Sequence, residues 1–186
     1  RPPIDATADS IRALAYSIIR VLDGEGAAVG PWVDGLASED LRSGLKTMLT
    51  VRAYDARMQI AQRQRKTSFY MQCTGEEAIA CAVQKALAPG DMNFPTYRQQ
   101  GLLIASGYPL VDLMSQVYSN SRDPLKGSQI PVFYSSRAPG FFSISGPVGP
   151  QFVQAVGWAM ASAIRGDTRI AVGWIGDGAT AENDFH

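Results

Sequence analysis

Helices alternating with short apolar strands predict an α/β layered fold built on a parallel sheet. Arg169–Ile175 carries this furthest: Ile170, Ala171, Val172, Trp174 and Ile175 make both faces apolar, as in a strand covered on two sides. The strand runs into Gly176-Asp177-Gly178-Ala179 and then a helix, the strand-to-helix turn at which open sheets bind ligands. The 186 residues supply one clearly central strand, fewer than a parallel sheet needs, so the fold is expected to be incomplete in this chain.

Composition sets the bounds. Apolar residues make up 46% and charged residues 18%, which allows a sizeable core and excludes wholesale disorder. Seventeen Lys and Arg balance seventeen Asp and Glu, so net charge gives no drive toward nucleic acid or anionic lipid. Low charge with many small residues suggests a surface partly covered by a partner. Cys73 and Cys81 are too few for a disulfide framework or a zinc site, and a reducing, cytoplasmic setting is expected. Arg1–Ser10 has no apolar segment, so no signal peptide is expected. Phe152–Ile164, interrupted by Gln154, is too short to span a bilayer.

In chain order, Arg1–Asp9 reads as an extended arm. Tyr16–Leu22 reads as a short strand or edge segment closed by the turn Asp23-Gly24-Glu25-Gly26. Ser38 is a helix N-cap with Glu39 and Asp40 in the favoured first turn. Leu41, Leu45, Met48, Leu49, Met58 and Ala61 form the apolar stripe of that helix, and Arg63, Arg65 and Lys66 close it. Glu76–Ala88 is a second helix, Asp91–Pro95 a short strand, and Gln99–Ser106 and Leu110–Tyr118 are helices around Gly107-Tyr108-Pro109. Asn120–Gly140 is a long loop, of the kind that is functional or disordered. Pro150 suits the first turn of a helix running to Ile164, and Thr180–His186 opens another. The small residues of Gln151–Ile164 allow close packing, either on a neighbouring subunit or on the chain's own sheet.

Three strings bear on chemistry. In Trp174–Ala179, glycines admit a ligand to the backbone, the helix start favours anions, and Asp177 offers a hard oxygen for magnesium; the alternative is a plain turn with Asp177 as a helix cap. In Phe94–Gln100, Arg98 can fork onto a phosphate and Tyr97 adds a hydroxyl; the alternative is a surface arginine beside a half-buried tyrosine. In Ser143–Gln151, a rigid turn feeds a helix and its carbonyls could hold a monovalent cation or a ring nitrogen; a simple helix start remains open. Cys73 and Cys81 are expected to be buried, and Glu76 and Glu77 to cap the helix they open.

Together these strings resemble the α subunit of the thiamine-diphosphate-dependent decarboxylating component of 2-oxo acid dehydrogenase complexes, nearest to the bacterial branched-chain type. The resemblance rests on Ser68-Phe69-Tyr70-Met71-Gln72, Gly75-Glu76-Glu77-Ala78, Phe94–Gln100, Asp123-Pro124-Leu125-Lys126-Gly127, Gln151–Gly157 and Gly176–Glu182, in order along nearly the whole chain. It implies the thiamine-diphosphate-binding fold, a parallel sheet flanked by helices. Residues 1–37 would be an N-terminal arm and edge segment. Residues 38–186 would be the N-terminal part of the cofactor domain, cut off after the Gly-Asp-Gly turn.

It further implies that Tyr97 and Arg98 bind the diphosphate, that Asp177 binds magnesium, that Gly178 and Ala179 lie against the cofactor, and that Gly146 and Val148 sit near its central rings. Ser145, Pro147 and Gln151 match a potassium site of some relatives. Pro150 departs from the hydroxyl ligand often found there, Gly146 from a serine or asparagine, and Phe133 from a histidine. Phe69 and Tyr70 would wall the substrate's branched tail, with core packing as the alternative. The implied activity is oxidative decarboxylation of branched-chain 2-oxo acids with acyl transfer to lipoamide. Pyruvate or acetoin substrates are the alternatives, as is a non-catalytic assembly module for this segment alone. The implied partners are a β subunit, in an α2β2 heterotetramer, and the lipoyl-bearing acyltransferase. No catalytic residue is expected in this chain, because the glutamate that activates the cofactor belongs to the β subunit. His186 is expected to be an ordinary helix residue.

Overall fold

The architecture, taken from a computed structural model, is described for residues 5–12, 16, 20–29 and 37–186. Contacts divide the chain into Arg1–Asp40 and Leu41–His186.

In the first unit, Ala8–Ile11 forms a short helix, α1, where an extended arm was expected. The cause is local: Thr7 occupies the N-cap, its side chain accepting from the Ser10 N–H, and Asp9 sits in the first turn. Residues 1–4 lie outside the described residues. The turn at Asp23 forms as expected, with Asp23 Oδ1 accepting from the N–H groups of Glu25 (2.9 Å) and Ala27 (2.8 Å) beneath an antiparallel bridge between Leu22 and Ala28. Residues 17–19 of the edge segment expected over Tyr16–Leu22 lie outside the described residues.

The boundary between units falls inside α2 (Ser38–Arg63). Its buried positions are Val51, Tyr54, Asp55, Met58 and Ala61, spaced by three and four. The expected stripe is corrected in its first half: Leu41, Leu45 and Leu49 are 57%, 57% and 60% exposed. They point well round the helix from the Val51–Ala61 face.

Two further helices pack face to face, α3 (Glu77–Ala86) and α4 (Gln100–Ala105). Gly101 permits the approach, since a Cβ there would lie 2.9 Å from that of Ala80. After α5 (Leu110–Val117), the long connection expected to be functional or disordered is instead held by packing. Val132, Phe133 and Tyr134 are buried in the main core, and Gln116 holds the backbone by donating to Ile130 O and accepting from Val132 N. Asp123 turns the loop by accepting from Leu125 N and Gly127 N.

Strands β1 (Met92–Phe94) and β2 (Ala171–Gly173) pair in parallel, joined through α6 (Pro150–Ile164). The pairing Met92↔Ala171, Asn93↔Val172, Phe94↔Gly173 brings both carboxyl ends to one edge. Pro150 starts α6 as expected, and Gln151, Ala155 and Ser162 are its buried residues. Gly157, Ala159, Ala161 and Ala163 lie on exposed parts of α6, so its small residues are divided between two faces.

Two expectations about the chain's last third are corrected. The strand is shorter than Arg169–Ile175 and is not covered on both faces: Ile170 is 54% exposed. The reason is that α6 is the one helix packed substantially on β2 among the described residues, so a single face of the strand is covered. The helix expected over Thr180–His186 does not form. A 3-10 turn over Gly178–Ala181 ends where Glu182 becomes extended, and further turns bring the Phe185 ring to 5.2 Å from that of Phe152. No helix of the described residues is long and apolar enough to cross a membrane.

Candidate functional site

Parallel register determines what meets at the edge of the sheet. The loops after Phe94 and Gly173 leave side by side, and the Trp174 N–H extends the ladder by donating to Phe94 O at 3.0 Å. The Trp174 indole N–H also donates to Asn93 Oδ1 at 3.1 Å, which fixes the second loop against the first strand. Segments remote in sequence, Thr96–Gln99 and Trp174–Ala179, thereby line one cleft of about 610 Å³. Of the expected cofactor contacts, Tyr97, Arg98, Val148, Asp177, Gly178 and Ala179 all line it.

Arg98 is held from behind. Its Nη1 donates to Gln72 O at 2.6 Å, and the guanidinium carbon stands 5.6 Å from the centre of the Tyr97 ring. Gln99 braces the same turn: its Oε1 accepts from the Thr96 N–H (2.8 Å) and hydroxyl, and its Nε2 donates to Glu76 Oε2 at 2.9 Å. Across the cleft, Asp177 precedes the 3-10 turn without capping it, so the plain-cap alternative is not realised. A Cβ added at Gly176 or Gly178 would meet nothing within 4 Å, so the turn keeps open space beside its backbone.

Other expected residues are placed elsewhere. Gly146 does not line the cleft; a Cβ there would lie 3.8 Å from the Phe133 ring. Ser145 and Pro147 are likewise outside it. Gln151, 2% exposed, donates from Nε2 to Val148 O (2.8 Å) and Trp174 O (2.9 Å), tying the proline-rich turn to the end of β2. Phe69 and Tyr70 belong to the main core rather than the cleft lining, and the Tyr70 hydroxyl donates to Asp55 Oδ1 at 2.8 Å.

Glu76, Thr96, Gln99 and Trp174 line the cleft without having been singled out. Glu76 was expected to cap α3, yet it makes no side-chain cap bond. Burial pushes its carboxyl above the ordinary value, against the opposing pull of Arg98 and the Gln99 hydrogen bond. Its signal in the sequence was the Gly75-Glu76-Glu77 string, which assigns two carboxylates to a helix start that needs one. Glu77 fills that role, accepting from Gly75 N at 2.9 Å and pairing with Arg52. Both cysteines are buried as expected, and burial raises their thiols.

A guanidinium and a carboxylate facing one cleft beside a glycine-lined turn suit a phosphate with its divalent metal. Nη1 of Arg98 is committed to Gln72, and the rest of the fork has no hydrogen bond among the described residues. Among the described residues no cluster of three or more metal-ligating side chains occurs. These features make the chain an α/β segment with a candidate cofactor site at the sheet edge.

Residues 45–186 match the model of the dehydrogenase E1 component, and the chain belongs to that family, which implies thiamine diphosphate dependence. It is 62% identical, over its full length, to 2-oxoisovalerate dehydrogenase subunit alpha of Pseudomonas aeruginosa, covering 45% of that protein. It is 37% identical over 91% of its length to the mitochondrial 2-oxoisovalerate dehydrogenase subunit alpha of Mus musculus, and covers 38% of it. It is 38% identical over 90% of its length to subunit alpha 1 of the mitochondrial enzyme of Arabidopsis thaliana, covering 36%. The chain thus spans less than half the length of these relatives.

Proposed function

We propose that this chain is the diphosphate-anchoring part of the α subunit of a branched-chain 2-oxo acid dehydrogenase. The enzyme oxidatively decarboxylates 3-methyl-2-oxobutanoate and its homologues and passes the acyl group to lipoamide. One observation carries the reading: Arg98 and Asp177 share a single cleft. Arg98, steadied by Gln72, would take the terminal phosphate through its uncommitted N–H groups. Tyr97 would donate a hydroxyl. Asp177 would hold magnesium against the diphosphate, and Gly178 and Ala179 would lie along it. When bound, thiamine diphosphate supplies a carbanion that attacks the keto carbon and an electron sink that lets carbon dioxide leave. The chain's share is to bind, to neutralise the diphosphate charge and to fix the orientation of the group. Ser145, Pro147 and Gln151 remain the candidate potassium ligands, and Gly146 and Val148 the neighbours of the central rings. Phe69 and Tyr70 would act on the branched tail through the packing behind the site.

The partners in this reading are a β subunit, which completes the site in an α2β2 assembly, and a lipoyl-bearing acyltransferase, in the bacterial cytoplasm. The test uses the full-length subunit assembled with its β subunit. Arg98→Ala should weaken thiamine diphosphate binding by about 10- to 100-fold, from the loss of a charge-assisted fork. Asp177→Asn should raise the magnesium concentration needed for half-saturation. Unchanged binding in both variants refutes the site. Faster decarboxylation of pyruvate or acetoin than of 3-methyl-2-oxobutanoate refutes the substrate class.

A further inference from the structure

Asp55 lies on α2, is fully buried, and is not among the residues lining the cleft. Its carboxylate gathers donors from two other segments. The Tyr70 hydroxyl reaches Oδ1 at 2.8 Å, the Cys73 N–H meets both oxygens at 3.2 and 3.1 Å, the Thr74 hydroxyl reaches Oδ2 at 2.9 Å, and Gln100 Nε2 reaches Oδ1 at 3.2 Å. None of these donors is a cation. A buried carboxylate without a counter-ion is costly unless hydrogen bonds saturate it, and for stability alone an apolar side chain would serve better. Its distinctive property is as an acceptor: an ionised carboxylate takes several donors at once in fixed directions.

Those directions converge on Gln72. On one side of it, Met71 O accepts from Gln100 Nε2 at 3.0 Å; on the other, Cys73 N donates to Asp55. Between them projects Gln72 O, the acceptor for Arg98 Nη1. Gln100 stands two residues after Arg98 in the same turn, so the strut that receives the guanidinium and the backbone that carries it end on one carboxylate.

We propose that Asp55 is a positioning residue for the diphosphate site, aiming the Arg98 guanidinium through the Gln72 carbonyl. This rests on the reading of Arg98 as the diphosphate ligand. Asp55→Asn keeps the shape but turns an amide N–H2 toward groups that are themselves donors. The backbone around Gln72 then loses its anchor, and the fork loses its direction although no residue lining the cleft has changed.

The experiment is a double-mutant cycle on the assembled full-length enzyme, titrating thiamine diphosphate with saturating magnesium and reading tryptophan fluorescence, to which Trp174 in the cleft contributes. Asp55→Asn should raise Kd about tenfold in the parent enzyme and leave it unchanged in an Arg98→Ala background. Thr74→Val removes one donor from the edge of the network and should show the same pattern at about threefold; it decides the matter if Asp55→Asn does not fold. Equal losses in the two backgrounds, which a general loss of packing would give, overturn the proposal. So does an unchanged Kd in the single variants. If Arg98→Ala itself leaves Kd unchanged, the diphosphate assignment fails first and takes this proposal with it, and that outcome is read from the Arg98 variant alone.

Discussion

Gln151 tests whether the proline-rich turn is held by a side-chain brace or by a cation. Its Nε2 donates to Val148 O at 2.8 Å and to Trp174 O at 2.9 Å, from a side chain that is 2% exposed. Gln151→Leu removes both bonds and leaves two carbonyls to be desolvated without a donor. At about 1 kcal/mol for each bond and about 1 kcal/mol or more for each stranded acceptor, the loss should be roughly 2–4 kcal/mol. Gln151→Glu is more informative, because it keeps the side-chain oxygen and replaces the donor nitrogen with a second oxygen. A carboxylate would face two carbonyl oxygens in a buried position, so its folded-state pKa rises above the unfolded value of about 4.3. The native state then binds more protons than the unfolded state between those two values. Stability relative to the parent should therefore fall as pH rises from about 4.3, and the deficit should be greatest at neutral pH. The assay is urea denaturation of the full-length subunit from pH 4 to 8, repeated with potassium and with sodium. The brace reasoning is refuted if Gln151→Glu matches the parent at pH 7 within about 0.5 kcal/mol, or if potassium restores it, since either result makes the side-chain oxygen the important atom.

Gly140→Ala should cost roughly 2–4 kcal/mol. Its φ is +66°, and an added Cβ would lie 2.2 Å from Asp91 O, a backbone atom that cannot move aside without parting the ladder in which Asn93 N donates to Gly140 O. A shift of the thermal midpoint by less than about 2 °C would contradict this. Arg52 holds the Glu77 carboxyl below its ordinary value, chiefly through their hydrogen bond. The stability from this depression is present above the unfolded pKa and is lost as pH falls through the lower folded one. Arg52→Met should flatten that acid limb in a series of denaturation curves below pH 5 while leaving neutral-pH thiamine diphosphate binding unchanged.

The sequence carried the site better than the sheet, for physical reasons. Asp177 and Arg98 were legible as candidates only in combination: a glycine-flanked acid is a common turn and an arginine after a strand is commonly a surface residue, and the resemblance across several strings joined the two. Gln151 was legible as a residue but not as a brace, since its partners, Val148 O and Trp174 O, are backbone atoms with no signature in the sequence. Glu76 was misplaced because a carboxylate at a helix start satisfies the capping pattern wherever it points. The apolar run at Arg169–Ile175 indicated a strand covered on both sides, but coverage depends on what packs on each face, and Ile170, just before β2, is exposed. Leu41, Leu45 and Leu49 failed likewise: spacing selects a face of a helix, and what lies opposite decides whether that face is buried.

The candidate site has its origin in the two-stranded sheet. Parallel pairing between β1 and β2 places both of their following loops at one edge, and this pairing alone brings Arg98 and Asp177 to a common cleft. The arrangement is braced on the Arg98 side of the cleft and open on the Asp177 side. Arg98 is tied to Gln72, and Gln72 is bracketed by bonds to Asp55 and Gln100, whereas Asp177 caps nothing and stands exposed. A cation fixed before the ligand arrives loses little freedom on binding, so the rigid half of the cleft is suited to capture. In the proposed reading the exposed carboxylate would stand where a metal is accommodated between protein and phosphate. That division predicts the order of damage: loosening the arginine's support should cost affinity even with magnesium saturating, whereas altering Asp177 should be partly offset by more metal.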